Sequence, residues 1–381
     1  MLEGYVAHVL LAPDKFKGSL TAAQVAAALA RGIRRVRPGQ KIRIVPVADG
    51  GDGTVAAALA AGFHRIDVST TGPTGTPLTA AVAVRGETAV IETAAACGLS
   101  RLPDGVPAPL TATSAGIAAL IRAAIDAGCG TIVLGLGGSA CTDGGAGLIA
   151  GLGGHLRDGQ GRPLPPGGGA LADLATVDLS TVDRRVRGLN LLLASDVDSP
   201  LLGPTGAAVV FGPQKGADPA QVALLERGLT NWAERIAAAK GKLVDELAGQ
   251  PGAGAAGGLG FAALALLGAH RRSGIELLLD LVGFPGQLTG ARLVITGEGS
   301  LDEQSLHGKA PIGVLTAAGR AGVPVVAVAG RCALDERQLA DAGFAAAYPL
   351  TDLEPDPERS MAEAAVLVER VGERIATEWL A

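Results

Sequence analysis

The sequence predicts an α/β protein in which a discontinuous, doubly wound Rossmann-like domain (residues 1–71 and 291–381) is interrupted by an inserted mixed α/β domain (72–290), with a ligand cleft between the two. Three observations lead there. Apolar runs alternate with helical periodicity at both ends of the chain, as in βαβ units with right-handed crossovers. The middle breaks that alternation with a hairpin signal foreign to a purely parallel sheet. Apolar runs also stop repeatedly in short clusters of Gly with Asp, Ser, Thr or Lys: 12–19 (APDKFKGS), 48–54 (ADGGDGT), 135–147 (GLGGSACTDGGAG), 194–199 (ASDVDS) and 296–300 (TGEGS). In open parallel sheets the loops beyond the strand carboxyl ends face the ligand, and these clusters fall there.

Residues 6–12 (VAHVLLA) read as a buried strand. Thr21 and Gln24 then have the form of a capping box, Val25, Leu29, Ile33 and Val36 share one helical face, and Arg31, Arg34, Arg35 and Arg37 collect where the helix dipole favours cations. Residues 42–47 (IRIVPV) are the next strand. Residues 79–94 read as two strands joined at Arg85-Gly86-Glu87, and 113–126 as a helix stopped by Gly128. Residues 131–136, 189–194 and 206–211 are further strand candidates. Asp218 as N-cap with Pro219 behind it opens a long helix through Lys240. From Arg292 the alternation resumes: strand 293–296, helix 310–321, strand 323–329, helix 336–342, strand 345–350 and a closing helix from Pro357.

Composition narrows the function classes. The 57 glycines in 381 residues are about twice the usual ~7% share, and they punctuate apolar segments instead of forming one tract. A net charge of -5 with interspersed signs leaves no basic stripe, which argues against a nucleic-acid partner. Cys97, Cys129, Cys141 and Cys332 are scattered without CxxC spacing, as expected of buried thiols in a reducing compartment. With no signal segment and no apolar run of membrane-spanning length, a cytoplasmic protein is expected.

Glycine lets backbone N–H groups approach anionic oxygens, so the clusters point to phosphate. Two dinucleotide patterns compete. Gly252-x-Gly254-x-x-Gly257 follows a helical segment instead of a strand, and Gly135-x-Gly137-x-x-Ala140, with Asp158 downstream, runs into TDGG where the fingerprint requires a helix. The second pattern leaves a nicotinamide-dependent reductase of a small hydroxy acid as the alternative function. A Walker A loop is excluded, because Gly308-Lys309 is followed by Ala310 and preceded five positions earlier by Glu303.

The remaining residues suit phosphoryl transfer, where the protein positions groups and neutralises charge. Magnesium takes only one or two carboxylates beside substrate phosphates, so Asp49, Asp52, Asp143, Asp196, Asp198 and Glu298 are candidates. Asp196 and Asp198, at i and i+2, share one side of an extended segment. Lys15, Lys17, Lys215 and Lys309 supply opposing charge, and Ser19, Ser139 and Ser300 supply hydroxyls. The five histidines lack metal spacing, and only His307, in QSLHGK, lies in a loop of this set.

In this order, PDKFKGSL, PVADGGDGT, GLGGSACTDGGAG, SDVDSPLLGPTGAA, FGPQKGA, GAGAAGGLG and TGEGSLDEQSLHGKAPIGV resemble the bacterial glycerate kinase family, a type unrelated to P-loop or ribokinase-like kinases. The resemblance implies ATP and Mg2+, D-glycerate as the small-molecule acceptor, most often 2-phosphoglycerate as product, and two α/β domains. It departs from the family pattern at Lys15, Cys141, Thr142 and Ser199. On this reading Asp49, Asp143 and Glu298 hold the metal, and Gly50, Gly51, Gly137, Gly138, Ser139, Gly297 and Gly299 hold nucleotide phosphates. Lys17 with Asp196 or Asp198 serves catalysis, and Lys15, Ser19 and Lys309 bind glycerate.

Overall fold

The structure, a computed structural model, describes residues 7–381, the His307 side chain excepted. Its strands in chain order are β1 (His8–Pro13), β2 (Ile42–Ile44), β3 (His64–Thr71), β4 (Pro77–Arg85), β5 (Thr88–Glu92), β6 (Thr131–Gly135), β7 (His155–Asp158), β8 (Leu174–Asp178), β9 (Asn190–Ala194), β10 (His270–Arg272), β11 (Ala291–Leu301), β12 (Val325–Cys332) and β13 (Ala346–Pro349). The chain divides into two compact units. The first takes the chain as far as Asp49, with Ala56–Ala61 and Ile275–Ala381; the second takes Gly50–Val55 and Gly62–Gly274.

The first unit is built on a parallel sheet in the order β13-β12-β11-β1-β2. Strand β1 is buried along its whole length, as a central parallel strand covered on both faces must be. Val9 and Leu11 pack with Leu293, Ile295, Val326 and Val328 on one face. Leu10 and Ala12 pack with Val294, Ala327 and Val314 on the other. The helix Ala22–Val36 has the expected Thr21–Gln24 capping box. It lies against Ala364–Trp379 so closely that a Cβ on Gly32 would stand 1.9 Å from the Glu369 carbonyl oxygen. Glu369 reaches back to Arg31 at 2.9 Å and Arg35 at 2.6 Å, so the predicted arginine cluster serves a helix pair as well as the dipole.

In the second unit six strands run β10-β9-β6-β5-β4-β3. The β10, β9, β6 and β5 neighbours are parallel, while β5–β4 and β4–β3 are antiparallel. Because four adjacent strands are parallel, Glu92, Gly135, Ala194 and Arg272 terminate along one edge. The long helix Pro219–Lys240 starts at Asp218 with a complete capping box and buries Trp232 edge-on to Phe261, ring centroids 6.4 Å apart. A separate hairpin, β7–β8, was not anticipated from the sequence.

Several expectations change. The unit boundaries differ from 71/72 and 290/291 because β3 hydrogen-bonds along β4, whereas Ile275 and Leu278 join the core around Leu10 and Val294. Residues 206–211 are no strand but the short helix Ala207–Phe211, whose Val209 and Val210 are 40% and 44% exposed; a core strand would have hidden them. Strand β11 does not stop at Thr296 but continues through Leu301. Gly297 and Gly299 are therefore strand residues, Gly297 opposite Pro13 and Val328. Among the described residues no helix is long and apolar enough to cross a membrane.

Candidate active-site residues

In the first unit, the carboxyl ends of β1 and β11 and the segment after β2 bring together charges of both signs. Asp14 follows β1 and is only 6% exposed; burial lifts its carboxyl from 3.8 to about 7, with Lys15 opposing and Asp49 and Glu298 adding to the rise. Glu298 on β11 is also raised by burial, against Ser305 and Lys309, with Asp302 and Asp49 reinforcing it. Its Oε1 is buried and accepts no hydrogen bond among the described residues. Its Oε2 faces Lys309 Nζ at 3.9 Å, and the same ammonium lies 3.7 Å from Asp302. Lys15 Nζ stands 3.9 Å from Asp14. Asp14 escaped sequence reading, although the signal used for Asp49 and Asp196, an acid just beyond a strand end, was present.

Other expected residues of this unit have different surroundings. Lys17 is exposed. Ser19 donates its hydroxyl to the Phe16 carbonyl at 3.2 Å and closes its own turn, so a substrate contact is not what fixes it. Ser300 donates to Asp302 at 3.3 Å and accepts from Arg331 at 3.0 Å. Gly299 backs onto the Lys17 amide, and a Cβ on Gly297 would stand 1.9 Å from the Val328 carbonyl oxygen. Sheet packing alone therefore demands glycine at 297. The His307 side chain lies outside the described ones.

In the second unit the glycine turns lock into one another. A Cβ on Gly137 would stand 2.4 Å from Gly51 Cα, one on Gly135 2.3 Å from the Gly50 carbonyl oxygen, and one on Gly50 2.6 Å from that of Ala194. Gly50 and Gly137, expected to cradle phosphate, thus have protein backbone on the side where a Cβ would be, and Gly51 is the residue against which Gly137 packs. Gly138 differs: it is exposed, with φ +70°. The neighbouring turn is anchored by the Glu92 carboxylate, which accepts from Gly53 N–H at 3.0 Å and Val55 N–H at 2.5 Å, a role the sequence did not suggest. Asp52 is exposed on that turn.

Asp143, expected as a metal ligand, is occupied by protein donors in this arrangement. It is fully buried, and its two oxygens accept from Thr113 Oγ1, Ser114 N–H and Oγ–H, Gly145 N–H and Gly147 N–H at 2.8–3.3 Å. Four of these contacts converge on Oδ2 and one on Oδ1, so the acid is held as a structural acceptor that ties the 113–114 segment to the 143–147 turn. The departures Cys141 and Thr142 are buried beside it: Cys141 Sγ lies 3.7 Å from Cys97 Sγ, and Thr142 Oγ1 has no partner among the described residues. Lys215, exposed only 4%, places Nζ 3.0 Å from Ser139 Oγ and 2.5 Å from the Cys141 carbonyl oxygen.

Beyond β9 the expected acidic pair is split between two environments. Asp196 is half-buried and accepts the Gly274 N–H at 3.1 Å. Asp198, its side chain 81% exposed, pairs with Arg271 at 2.7 Å, and Arg271 also donates to the Ser195 carbonyl at 3.0 Å. Arg271 was invisible in the sequence because its own stretch carries no glycine cluster. Among the described residues no three His, Cys, Asp or Glu side chains form a ready metal cage.

Both dinucleotide patterns dissolve in the structure. After β6 the next helix is Ala146–Gly151, too late for a phosphate-binding turn, and Asp158 binds Arg162 within its own hairpin turn at 2.8 Å. Gly254, Gly257 and Gly260 pack on backbone, with a Cβ on Gly257 falling 2.0 Å from the Cys141 carbonyl oxygen, and Gly252 packs on the Arg271 side chain.

Parallel strand ends carrying carboxylates and lysines, without a Walker A loop or a nucleotide fingerprint, are compatible with an α/β kinase of non-P-loop type. The comparisons with known proteins agree. The chain matches the Glycerate kinase family over residues 9–380. It is 43% identical to glycerate kinase of Bacillus subtilis (strain 168) over 371 residues, covering 97% of this chain and 96% of that one. It is also 43% identical to glycerate 2-kinase of Escherichia coli (strain K12), covering 84% of each chain. A crystal structure assigned to glycerate kinase 2 from Salmonella typhimurium LT2 superimposes with TM-score 0.82 at 40% identity, covering 98% of both chains. This protein belongs to the glycerate kinase family.

Proposed function

We propose that this protein transfers the γ-phosphoryl group of ATP to D-glycerate, giving 2-phosphoglycerate. The observation that carries the reading within the family is the charge set of Asp14, Asp49 and Glu298 with Lys15 and Lys309 in the first unit. Such a set, rich in negative potential, suits a metal–phosphate group better than an apolar ligand. The buried Glu298 Oε1 without a hydrogen bond, and an Asp14 carboxyl pushed up to about 7 beside Asp49, fit a divalent cation. Glu298 and Asp49 would hold Mg2+, which when bound neutralises phosphate charge and orients the transferred group. Lys309 and Lys15 supply cations for the glycerate carboxylate, and Lys17 one for phosphate. In the second unit Gly138 and Ser139 offer donors to phosphate oxygens. Asp196 is the residue assigned to orient the attacking hydroxyl, since Asp198 is neutralised by Arg271.

A coupled assay tests this. With D-glycerate and ATP, enolase should consume the product directly; a product that enolase ignores until a mutase is added would identify 3-phosphoglycerate instead. Asp196→Asn should lower kcat by at least 100-fold with a Tm within a few degrees of the parent, and a near-normal rate would remove Asp196 from the mechanism.

A further inference from the structure

The Lys215 ammonium is buried against two neutral oxygens, Ser139 Oγ and the Cys141 carbonyl. Desolvation holds its pKa below the ordinary lysine value, while the Cys141 and Cys97 thiols and Asp143 oppose that shift. Asp143 is committed to its five donors. A buried cation whose direct partners are both neutral oxygens is costly. If its only task were to tether the loop, a neutral donor would serve at less expense.

An ammonium has three donors and no acceptor, whereas a hydroxyl both donates and accepts. The 3.0 Å contact therefore fixes its own direction: Lys215 donates, and Ser139 Oγ accepts. The single Ser139 hydroxyl proton is left pointing elsewhere, polarised by the charge behind it, with no acceptor for it among the described residues. Ser139 directly follows exposed Gly138. We propose that Lys215 is a positioning residue that makes Ser139 a one-way hydrogen-bond donor to an anionic oxygen of a substrate, either a nucleotide phosphate or the acceptor's carboxylate. The kinase reading supplies the names of these ligands; the donor geometry stands without it.

Calorimetric titration of MgADP and of D-glycerate, separately, into the parent, Ser139→Ala, Lys215→Met and the double variant distinguishes the two sources. The inference expects at least a tenfold loss of affinity for one ligand in each single variant. The double variant should lose no more than the worse single one, because the two residues act as a unit. The ligand affected identifies the source of the anionic oxygen, and Tm should stay within about 5 °C of the parent. Affinities for both ligands within twofold of the parent in Ser139→Ala overturn the proposal, and this variant decides the matter if Lys215→Met fails to fold. Losses that multiply in the double variant overturn it as well, as does a fall in Tm of 10 °C or more with affinities intact. A parent enzyme that binds MgADP in a Lys215-dependent manner yet does not phosphorylate D-glycerate would refute the functional reading and leave this inference standing.

Discussion

Replacing Asp143 by asparagine tests whether this acid is architecture or a metal ligand. Placed with its amide oxygen at the Oδ2 position, asparagine keeps the four contacts from Thr113, Ser114 and Gly147 but turns an N–H2 group toward the Gly145 N–H, now 3.1 Å from Oδ1. One charge-assisted bond is lost, worth roughly 1.5–3 kcal/mol, and one buried N–H is stranded at a further cost of about 1–3 kcal/mol. The expected destabilisation is about 3–5 kcal/mol, or a Tm lower by roughly 10 °C for a unit of this size. Alanine strands all five donors and should leave the unit unable to fold. Trp232 is the natural probe, because its indole donates to the neighbouring Gly144 carbonyl at 2.9 Å. Urea unfolding followed by its fluorescence, in a Trp379→Phe background, gives the midpoint. An unchanged midpoint in Asp143→Asn, together with a tenfold higher magnesium requirement for activity, would refute the argument and restore Asp143 to the metal.

Two further outcomes are expected. Asp14 binds its proton more tightly in the folded chain than in the unfolded one, so it costs stability as pH rises from 3.8 to about 7, and the full cost remains above that. Asp14→Asn should therefore be more stable than the parent at pH 8, by as much as ~4 kcal/mol in chelator-containing buffer, and equal to it near pH 4; a variant less stable at pH 8 contradicts the burial argument. Gly137→Ala forces a Cβ to 2.4 Å from Gly51 Cα, whereas at Gly138 the nearest atom is the Ala94 Cβ at 3.3 Å. Urea midpoints should fall steeply for the first and by only about 1–2 kcal/mol for the second, the cost of a side chain at positive φ; similar midpoints would show that Gly137 is not a packing glycine.

Local signals were legible, and distant ones were not. The capping boxes at Thr21 and Asp218 are complete within four residues, so their helices start where the sequence puts them. The Arg85-Gly86-Glu87 turn likewise marks the β4–β5 hairpin. Residues 206–211 failed because six residues with two valines suit a strand or a helical turn equally, and burial decides between them. At Gly50 and Gly137 the sequence shows only that a side chain is forbidden; a phosphate and another backbone forbid it equally. The burial of Lys215 was not legible because its partners lie 74 and 76 positions away. Asp143 had a similar fault: its donors at Thr113 and Ser114 belong to a segment with no glycine cluster to announce it.

Backbone lodged against backbone from 50 to 137, and from 257 to 141, means that these turns cannot vary singly. A methyl group gained on one side requires the opposite turn to retreat, so drift in this enzyme is channelled away from its glycines. Room for change is left to the few side chains set among them, Ser139, Asp196 and Arg271 included.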